Sequence, residues 1–391
     1  MKLILPDPLT PQRFLDEYWQ KRPLLMRGAL LGYTAPVQLE ELAGLACEAE
    51  IESRLVLEKD GNHPWQARQG PFDAEDFASL PPSHWTLLVQ DLDKHLPEAA
   101  DLLEPFRFIP DWRLDDIMIS YAADQGSVGP HIDDYDVFLI QARGVRRWMI
   151  HTREVSEDDY IPDLDLRILP AFEAEHDWLL EPGDVLYLPP NVAHRGIAQG
   201  DGCMTCSVGF RAPTLQEMVA AWSDELIREL IPAGRYRDPP LSLQRDNGEI
   251  RPDALAHVRS LLDQVMEIPA RRRDRWFGRF ITEPKGHLLV VPCDQPLAPG
   301  QFASRFEQAG ELERNGWSRL AFIRAGGEGY DYLYASGDEY PIPHSLAGFA
   351  EWISAQRRLP FSEALPWLRN PEGAELMARL HNDGHLQLPD A

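Results

Sequence analysis

The stretch WLLEPGDVLYLPPNVAHRGIAQGDGCMTCSVGF, residues 178–210, consists of short apolar runs separated by glycine, proline and asparagine. Each run has the length of a β-strand rather than that of a helix. Pro182-Gly183-Asp184 predicts a turn, Val185 to Leu188 predicts a strand, and Pro189-Pro190 marks the rigid end of that strand. Closely spaced short strands of this kind are typical of an all-β barrel or jelly roll.

The same pattern of short apolar runs separated by turn residues extends from Asp115 to Pro213, in runs such as DIMISYAA, DVFLIQARG and VRRWMIH. The first 110 residues differ, because their apolar positions indicate a mixture of short helices and loops. There we expect a helix through about Gln20 and a strand after Pro23. The N-terminal half of the chain is therefore predicted to be a mainly β, cupin-like jelly roll, that is, a double-stranded β-helix.

The apolar period changes to that of a helix at Thr214. The segment TLQEMVAAWSDELIREL opens with the capping-box pair Thr214 and Glu217 and continues with apolar residues at helical spacing. A second amphipathic helix is predicted in PDALAHVRSLLDQVMEI. The two helices indicate either a dimerisation element or a pair that packs against the barrel.

The tail from about Gly286 mixes α and β patterns. The segment RLAFIRAGGEGYDYLYASG predicts a hairpin, and helices are predicted in LAGFAEWISAQRRL and GAELMARLHNDG. A hairpin combined with helices resembles a winged helix. The tail has no dense basic stripe, which disfavours DNA binding.

Charge and hydropathy limit the partners of this chain. Its 391 residues include 63 acidic and 38 basic side chains, which leaves a formal net charge of −25. Such a surface repels nucleic-acid phosphates and attracts a basic protein. No apolar run approaches the roughly 20 residues of a membrane span, and prolines interrupt the N-terminus before a signal-peptide core forms. We therefore expect a cytoplasmic protein without direct nucleic-acid or membrane binding.

The cysteines are Cys47, Cys203, Cys206 and Cys293, too few for a disulfide framework. Cys203 and Cys206 have CxxC spacing, but the chain has no second pair that would complete a tetrahedral zinc site. Because both lie within an apolar run, we predict that they are thiols of the core.

Acidic residues cluster in GPHIDDYDVF, residues 129–138, at the start of a predicted strand. Acidic residues are poor strand formers, so this cluster requires an explanation. His131 and Asp133 are two residues apart, and side chains at i and i+2 share one face of a strand. Both can therefore contact one metal ion, while Ile132 and Asp134 are expected to point the other way.

A third ligand is predicted at His194, 63 residues further on, where the next strand begins. Two histidines and one carboxylate form the facial triad of non-haem Fe(II) oxygenases, which leaves coordination positions open for a co-substrate and O2. Zinc hydrolases also use three protein ligands, so the residues alone leave the metal open.

A co-substrate such as 2-oxoglutarate needs a cation for its distal carboxylate. The segment QARGVRRWMI offers Arg143, Arg146 and Arg147 around a turn. Strand alternation sends Arg146 and Arg147 to opposite faces, so at most one of these two points into the barrel. A guanidinium suits this role because it binds a carboxylate in a bidentate fork.

At this point the motifs of the first 213 residues resemble a known family, the bacterial JmjC-type ribosomal oxygenases. These are Fe(II)- and 2-oxoglutarate-dependent protein hydroxylases that act on an arginine β-carbon in the sixteenth large-subunit ribosomal protein. The resemblance rests on six motifs in order, YWQKRPLLMRGA, WTLLVQDLDKH, FRFIPDWRLDDIMISYA, GPHIDDYDVFLIQARGVRRW, PGDVLYLPPNVAHRG and SVGFRAP. It implies a JmjC catalytic domain over 1–213, a helical dimerisation region over 214–285 and a winged-helix-like domain over 286–391.

The resemblance also implies roles for individual residues. His131, Asp133 and His194 become the iron ligands, Arg146 the cation for 2-oxoglutarate, and Ser120 a further co-substrate contact. An arginine substrate needs carboxylate and aromatic partners, for which our candidates are Asp124 and Tyr135. We expect Asp134 and Asp136 to be solvated or to lie outside the ligand set.

Other functions stay open on these residues. The same iron chemistry hydroxylates histidine or demethylates a methylated basic residue, since demethylation is hydroxylation at a methyl carbon. From another class, the chain could be a metal-binding scaffold that recognises a basic protein without turnover. The complete triad and the nearby arginine favour an enzyme, a dioxygenase that forms a homodimer and modifies a basic ribosomal protein.

Overall fold

The computed structural model divides the chain into two compact units, Met1–Ala212 and Pro213–Ala391. No helix in the described part of the chain is both long and apolar enough to cross a membrane. The structure describes residues 2–30, 33–59, 65–152, 160–162, 164, 166–170, 172–229, 235–266, 269–324 and 330–389.

The N-terminal unit is built mainly from strands. Its short helices are α1 (Pro11–Glu17), α2 (Leu39–Leu45), α3 (Ala74–Ala78), α4 (Leu92–His95) and α5 (Pro97–Ala100). Its strands are β1 (Leu24–Met26), β2 (Ser53–Glu58), β3 (Trp65–Gln69), β4 (Trp85–Val89), β5 (Leu114–Ala122), β6 (Val137–Arg143), β7 (Arg146–His151), β8 (His176–Leu180), β9 (Val185–Leu188), β10 (Ala193–Ala198) and β11 (Cys203–Phe210).

These strands form two antiparallel sheets. The larger sheet has the order β1-β9-β6-β11-β5-β4-β2-β3, and the smaller one has the order β10-β7-β8. Apolar side chains of both sheets meet in one buried cluster, which includes Leu139 from β6, Leu186 from β9 and Ile150 from β7. The predicted jelly roll is therefore confirmed, and Cys203 and Cys206 are buried within it as expected.

Two details of the first 110 residues differ from expectation. The first helix ends at Glu17 rather than near Gln20, because Gln20 adopts a left-handed backbone conformation with φ of 57°. Strands β2, β3 and β4 extend the large sheet beyond β5, where we expected only helices and loops. Each of these three strands has only five or six residues, and they join the sheet in series, with β4 pairing with β5, β2 with β4, and β3 with β2.

The C-terminal unit combines helices with two three-stranded antiparallel sheets, ordered β16-β12-β17 and β13-β14-β15. Its helices are α6 (Leu215–Glu229), α7 (Pro252–Met266), α8 (Ala270–Thr282), α9 (Pro299–Ala309), α10 (Phe349–Ala355), α11 (Phe361–Leu368) and α12 (Pro371–Asn382). Its strands are β12 (Glu311–Arg314), β13 (Leu320–Ile323), β14 (Asp331–Ala335), β15 (Asp338–Ile342), β16 (Arg358–Pro360) and β17 (Leu386–Gln387).

Most sequence predictions for this unit are confirmed. The Thr214 backbone N–H donates to Glu217 at 2.7 Å and the Glu217 N–H donates to the Thr214 hydroxyl at 3.1 Å, which is the expected capping box. The predicted hairpin pairs β13 with β14, and its Gly-rich turn lies outside the described residues. Helices α8, α9 and α11 were not predicted.

Candidate metal centre and its cavity

The predicted ligand set comes together in the N-terminal unit. One ligand atom from each of His131, Asp133 and His194 lies within 4.8 Å of the others. Nε2 of His131 is 3.9 Å from Oδ1 of Asp133, and Nε2 of His194 is 3.6 Å from Oδ2 of the same carboxylate. The three donors therefore converge on a space of the size that one metal ion occupies.

Backbone pairing explains how residues so distant in sequence meet. His131 and His194 form an isolated antiparallel bridge, with N–H···O distances of 3.0 and 2.9 Å in the two directions. The expectation of one strand through residues 129–138 is wrong, because β6 begins only at Val137. Ile132 and Asp134 line the same cavity as Asp133, so strand alternation is not kept in this loop.

Both imidazole rings present the nitrogen that a metal requires. Nδ1 of His131 lies 2.9 Å from the carbonyl oxygen of Gly129, and Nδ1 of His194 lies 2.9 Å from that of Val192. A ring nitrogen beside a carbonyl oxygen carries the proton, which leaves the Nε2 lone pair for the metal. Burial, reinforced by the nearby His131 ring, lowers the pKa of His194 to about 4. His194 is therefore a neutral donor at neutral pH.

The donor set fits a divalent transition metal. Two neutral imidazoles and one carboxylate on one side of an ion are the ligands of the facial triad. The alternative of a tetrahedral zinc site at Cys203 and Cys206 has no support, since Cys206 contacts the Tyr33 hydroxyl and Cys203 contacts Arg146 and Gln141.

The triad lies in the wall of a cavity of about 390 Å³. On β2, Arg54 and Val56 face this cavity, and so do alternate residues of four further strands, as the period of two requires. They are Asp116, Met118 and Ser120 on β5, Val137 and Leu139 on β6, Arg146 and Trp148 on β7, and Thr205, Ser207 and Gly209 on β11.

Arg146 is the buried cation of this cavity, with 3% of its surface exposed. Its Nη2 is buried and has no hydrogen-bond partner among the described residues. Arg147 points outward as predicted, and its Nε donates to Asp177 at 2.8 Å. A buried guanidinium is stable only when an anion or other acceptors satisfy it. Arg146 therefore fits the carboxylate of a ligand.

Trp148 separates the cation from the triad. Its ring centroid lies 5.8 Å from the Arg146 guanidinium carbon and 5.8 Å from the His194 ring centroid. A Cβ atom at Gly196 would come within 2.8 Å of the Trp148 ring, so only glycine permits this arrangement. Gly196 thus helps to maintain the spacing between the two ends of the site.

Ser120 and Tyr135 both line the cavity, as the sequence suggested. The Ser120 hydroxyl donates to the Thr205 carbonyl at 3.4 Å. Although 41% of the Tyr135 surface is exposed, desolvation of its phenol and the Asp133 carboxylate, to which its hydroxyl donates, raise the pKa of Tyr135. Tyr135 therefore keeps its proton beside the triad.

Asp116 is a cavity residue that sequence reasoning missed. It contributes, with Asp133, to the raised pKa of Tyr135, which places its charge near that phenol. A signal was available, because Asp116 lies four residues before Ser120 on the same strand and a period of two puts both on one face.

Two other carboxylates differ from expectation. Asp124 is not among the residues that line the cavity, and its Oδ1 accepts the backbone N–H of Gly200 at 2.8 Å. Asp136 is fully buried rather than solvated, and it accepts hydrogen bonds from the Tyr187 hydroxyl at 2.6 Å and the Gln20 amide at 3.1 Å. Burial raises the pKa of Asp136 above its usual value. By contrast, Asp134 is exposed and pairs with Arg167 at 3.3 Å.

Comparison with known sequences agrees with this geometry. The chain matches the JmjC domain family over residues 101–218 and the ROXA-like winged-helix family over residues 263–387. A protein of Escherichia coli named ribosomal protein uL16 3-hydroxylase is 36% identical over 375 residues, which are 95% of this chain and 96% of that protein. A probable ribosomal oxygenase of Haemophilus influenzae is 39% identical over 240 residues, 61% of this chain and 57% of that protein.

A solved structure of YcfD from Escherichia coli superposes with a TM-score of 0.84 at 34% identity, covering 99% of both chains. Another, described as the ribosomal oxygenase YcfD in complex with cobalt and 2-oxoglutarate, has a TM-score of 0.82 at 33% identity, covering 100% of this chain and 99% of that one. These similarities confirm the predicted combination of a jelly roll with a winged helix.

Proposed function

The chain belongs to the JmjC-type ribosomal oxygenases, and we propose that it hydroxylates the β-carbon of an arginine in ribosomal protein uL16 with Fe(II), 2-oxoglutarate and O2. The observation that carries this proposal is the placement of the His131, Asp133 and His194 cluster in the wall of a cavity that also contains the buried Arg146, whose Nη2 has no hydrogen-bond partner among the described residues. The buried Arg146 favours a 2-oxoglutarate enzyme over a zinc hydrolase, which also uses three protein ligands but needs no such cation.

Each residue has a separate task in this proposal. His131, Asp133 and His194 hold the iron, which supplies the oxidising chemistry when 2-oxoglutarate and O2 are bound. Arg146 pairs with the distal carboxylate of 2-oxoglutarate, and Ser120 offers a further hydroxyl on the cavity wall. The apolar part of the cavity wall, which includes Met118, Leu139 and Trp148, helps to exclude water from the reacting side chain.

The substrate side of the cavity suits an arginine. The carboxylates of Asp116 and Asp133 both lie near the Tyr135 phenol, so a guanidinium held by the Asp116 carboxylate and the Tyr135 ring keeps the arginine side chain beside the iron ligands. The net charge of −25 favours the approach of a basic ribosomal protein. We propose Asp116 and Tyr135 as substrate contacts, whereas the proposed role of Asp124 has no support from its position.

We expect Asp116→Asn to raise the KM for a uL16 peptide by roughly tenfold to a hundredfold, because a charge-assisted hydrogen bond is lost. The dissociation constant of 2-oxoglutarate should stay unchanged. Steady-state kinetics with Asp115→Asn, the neighbouring carboxylate that does not line the cavity, provides the matched control. Equal effects of the two variants would exclude Asp116 as a substrate contact.

The proposed activity is tested by incubating the protein with Fe(II), 2-oxoglutarate and uL16, followed by peptide mass spectrometry. Gain of one oxygen on an arginine supports the proposal. Gain on a histidine indicates a histidyl hydroxylase, and loss of a methyl group from a methylated substrate indicates a demethylase. Binding of uL16 and 2-oxoglutarate without any product would indicate a scaffold.

We further propose a cytoplasmic enzyme with three regions, 1–213 for catalysis, 214–285 for dimerisation and 286–391 as the winged-helix-like domain. A ribosomal substrate supports the location, and the division of the chain at Ala212 supports the first boundary. Dimerisation is supported by α7, none of whose fifteen residues is buried. Its apolar side chains recur at helical spacing and are exposed, namely Leu255, Val258, Leu261, Leu262 and Met266.

A second copy of the chain is the partner that covers this stripe. We expect light scattering to give about twice the chain mass of 44.5 kDa, and Leu262→Glu to give a monomer because it buries a charge in the interface. Gln264→Glu adds the same charge two residues away and should leave the dimer intact. A monomeric parent protein would contradict the proposal.

A further inference from the structure

The guanidinium of Arg146 has one described hydrogen-bond partner, and that partner is a sulfur atom. Nε of Arg146 donates to Sγ of Cys203 at 3.4 Å. Cys203 begins β11 in the large sheet, whereas Arg146 begins β7 in the small sheet. The contact therefore connects the two sheets beneath the cavity.

The sulfur atom is itself held in position. Nε2 of Gln141 lies 3.4 Å from Sγ of Cys203, 2.9 Å from the carbonyl oxygen of Arg143 and 3.2 Å from that of Gly144, so its two N–H groups are shared among these three acceptors. These two carbonyls belong to the turn that leads into Arg146. Gln141 is fully buried, and its side-chain oxygen accepts the Thr205 hydroxyl at 3.3 Å. The Gln141 amide thus contacts both the turn that leads into Arg146 and the Cys203 sulfur atom.

The contact with Cys203 determines which N–H groups of the Arg146 guanidinium are available to a ligand. Because Nε is directed at Cys203, the N–H groups that remain are those of Nη1 and Nη2, and Nη2 is buried without a described partner. A flexible arginine loses affinity because it must be ordered when the ligand binds, and an arginine already held in one rotamer avoids this cost.

We propose that Cys203, supported by Gln141, is a positioning residue that orients Arg146 and thereby sets the affinity for 2-oxoglutarate. This inference rests on the proposed function, since it assumes that Arg146 binds the distal carboxylate. It predicts that loss of Cys203 weakens the binding of ligands that carry the distal carboxylate and leaves the affinity for the metal unchanged.

The test is calorimetric titration of 2-oxoglutarate into the full-length, Co(II)-loaded protein without O2. We expect Cys203→Ala to weaken binding by about threefold to tenfold, as for the loss of one ordinary hydrogen bond, because a thiol sulfur is a weak acceptor. Cys203→Ser retains an acceptor and should bind more tightly than Cys203→Ala. Co(II) affinity, measured separately, should equal that of the parent protein in both variants.

Two controls separate positioning from a general loss of packing. Cys206→Ala removes an equally buried thiol from the same strand, and Cys206 contacts Tyr33 rather than Arg146. It should bind 2-oxoglutarate as the parent does. The ligand 2-oxopentanoate, which has a methyl group in place of the distal carboxylate, should bind all variants equally.

Unchanged 2-oxoglutarate binding in Cys203→Ala overturns the inference, and so does an equal weakening in Cys206→Ala or with 2-oxopentanoate. If Cys203→Ala does not fold, binding by Cys203→Ser as weak as that by Arg146→Met overturns it. Failure of the parent protein itself to bind 2-oxoglutarate would instead refute the proposed function, and the inference with it.

Discussion

We expect Asp133→Ala to abolish hydroxylation of uL16, with a loss of at least about a thousandfold, which exceeds the 10–100-fold typical of residues that only orient a ligand. The substitution removes the one charged donor of the cluster and leaves two neutral imidazoles. Neutral nitrogen donors alone hold a divalent ion less tightly and leave its charge uncompensated. Mass spectrometry of the substrate and Co(II) titration of the protein measure the two consequences.

The fold should survive this change, because the Asp133 side chain is 21% exposed and lies outside the buried apolar clusters. Circular dichroism and the melting temperature provide that check. Asp177→Ala, which removes an exposed carboxylate on β8, is the matched control and should retain activity. An unfolded Asp133→Ala protein would mean that the metal is structural rather than catalytic.

The second large effect is expected for Arg146→Met, which replaces the buried cation with an apolar chain of similar length. We expect the KM for 2-oxoglutarate to rise by about a hundredfold, because a bidentate, charge-assisted contact worth roughly 3 kcal/mol is lost. The affinity for Co(II) should not change. Titration of 2-oxoglutarate under turnover, and separately by calorimetry, measures the effect.

Arg147→Met is the control for this experiment. Arg147 is the next residue on β7, yet it faces solvent and pairs with Asp177. An exposed pair of this kind contributes little to stability, so we expect kinetics like those of the parent. If both variants retain the parent's KM for 2-oxoglutarate, another cation must bind the distal carboxylate.

Local sequence patterns predicted the structure correctly where the feature lies within one strand or one helical turn. Alternation showed that Arg146 and Arg147 lie on opposite faces, the resemblance to ribosomal oxygenases assigned the inward position to Arg146, and alternation would also have led from Ser120 to Asp116. The Thr214 and Glu217 pair marked the start of α6, because a capping box is a contact within one helical turn. In each case the interacting groups are neighbours in the chain.

The acidic cluster at residues 129–138 shows where such patterns fail. We assigned it to one alternating strand, but its backbone leaves the sheet after His131 and returns at Val137. In that loop no period applies, so Asp134 faces the cavity rim and Asp136 is buried against Tyr187. The position of Asp124 could not be predicted from local sequence either, since its side chain accepts a hydrogen bond from the backbone of Gly200, 76 residues away.

The sequence by itself predicted the jelly roll and the three residues that the structure brings together, because turn residues, strand alternation and motif spacing encode them locally, while the choice of Arg146 came from the resemblance to ribosomal oxygenases. Only the tertiary structure decided that the backbones of His131 and His194 pair, that β2, β3 and β4 extend the sheet, and that Cys203 contacts Arg146. These contacts join residues far apart in the chain. Their formation depends on how two sheets pack against each other, a property that no single stretch of sequence contains.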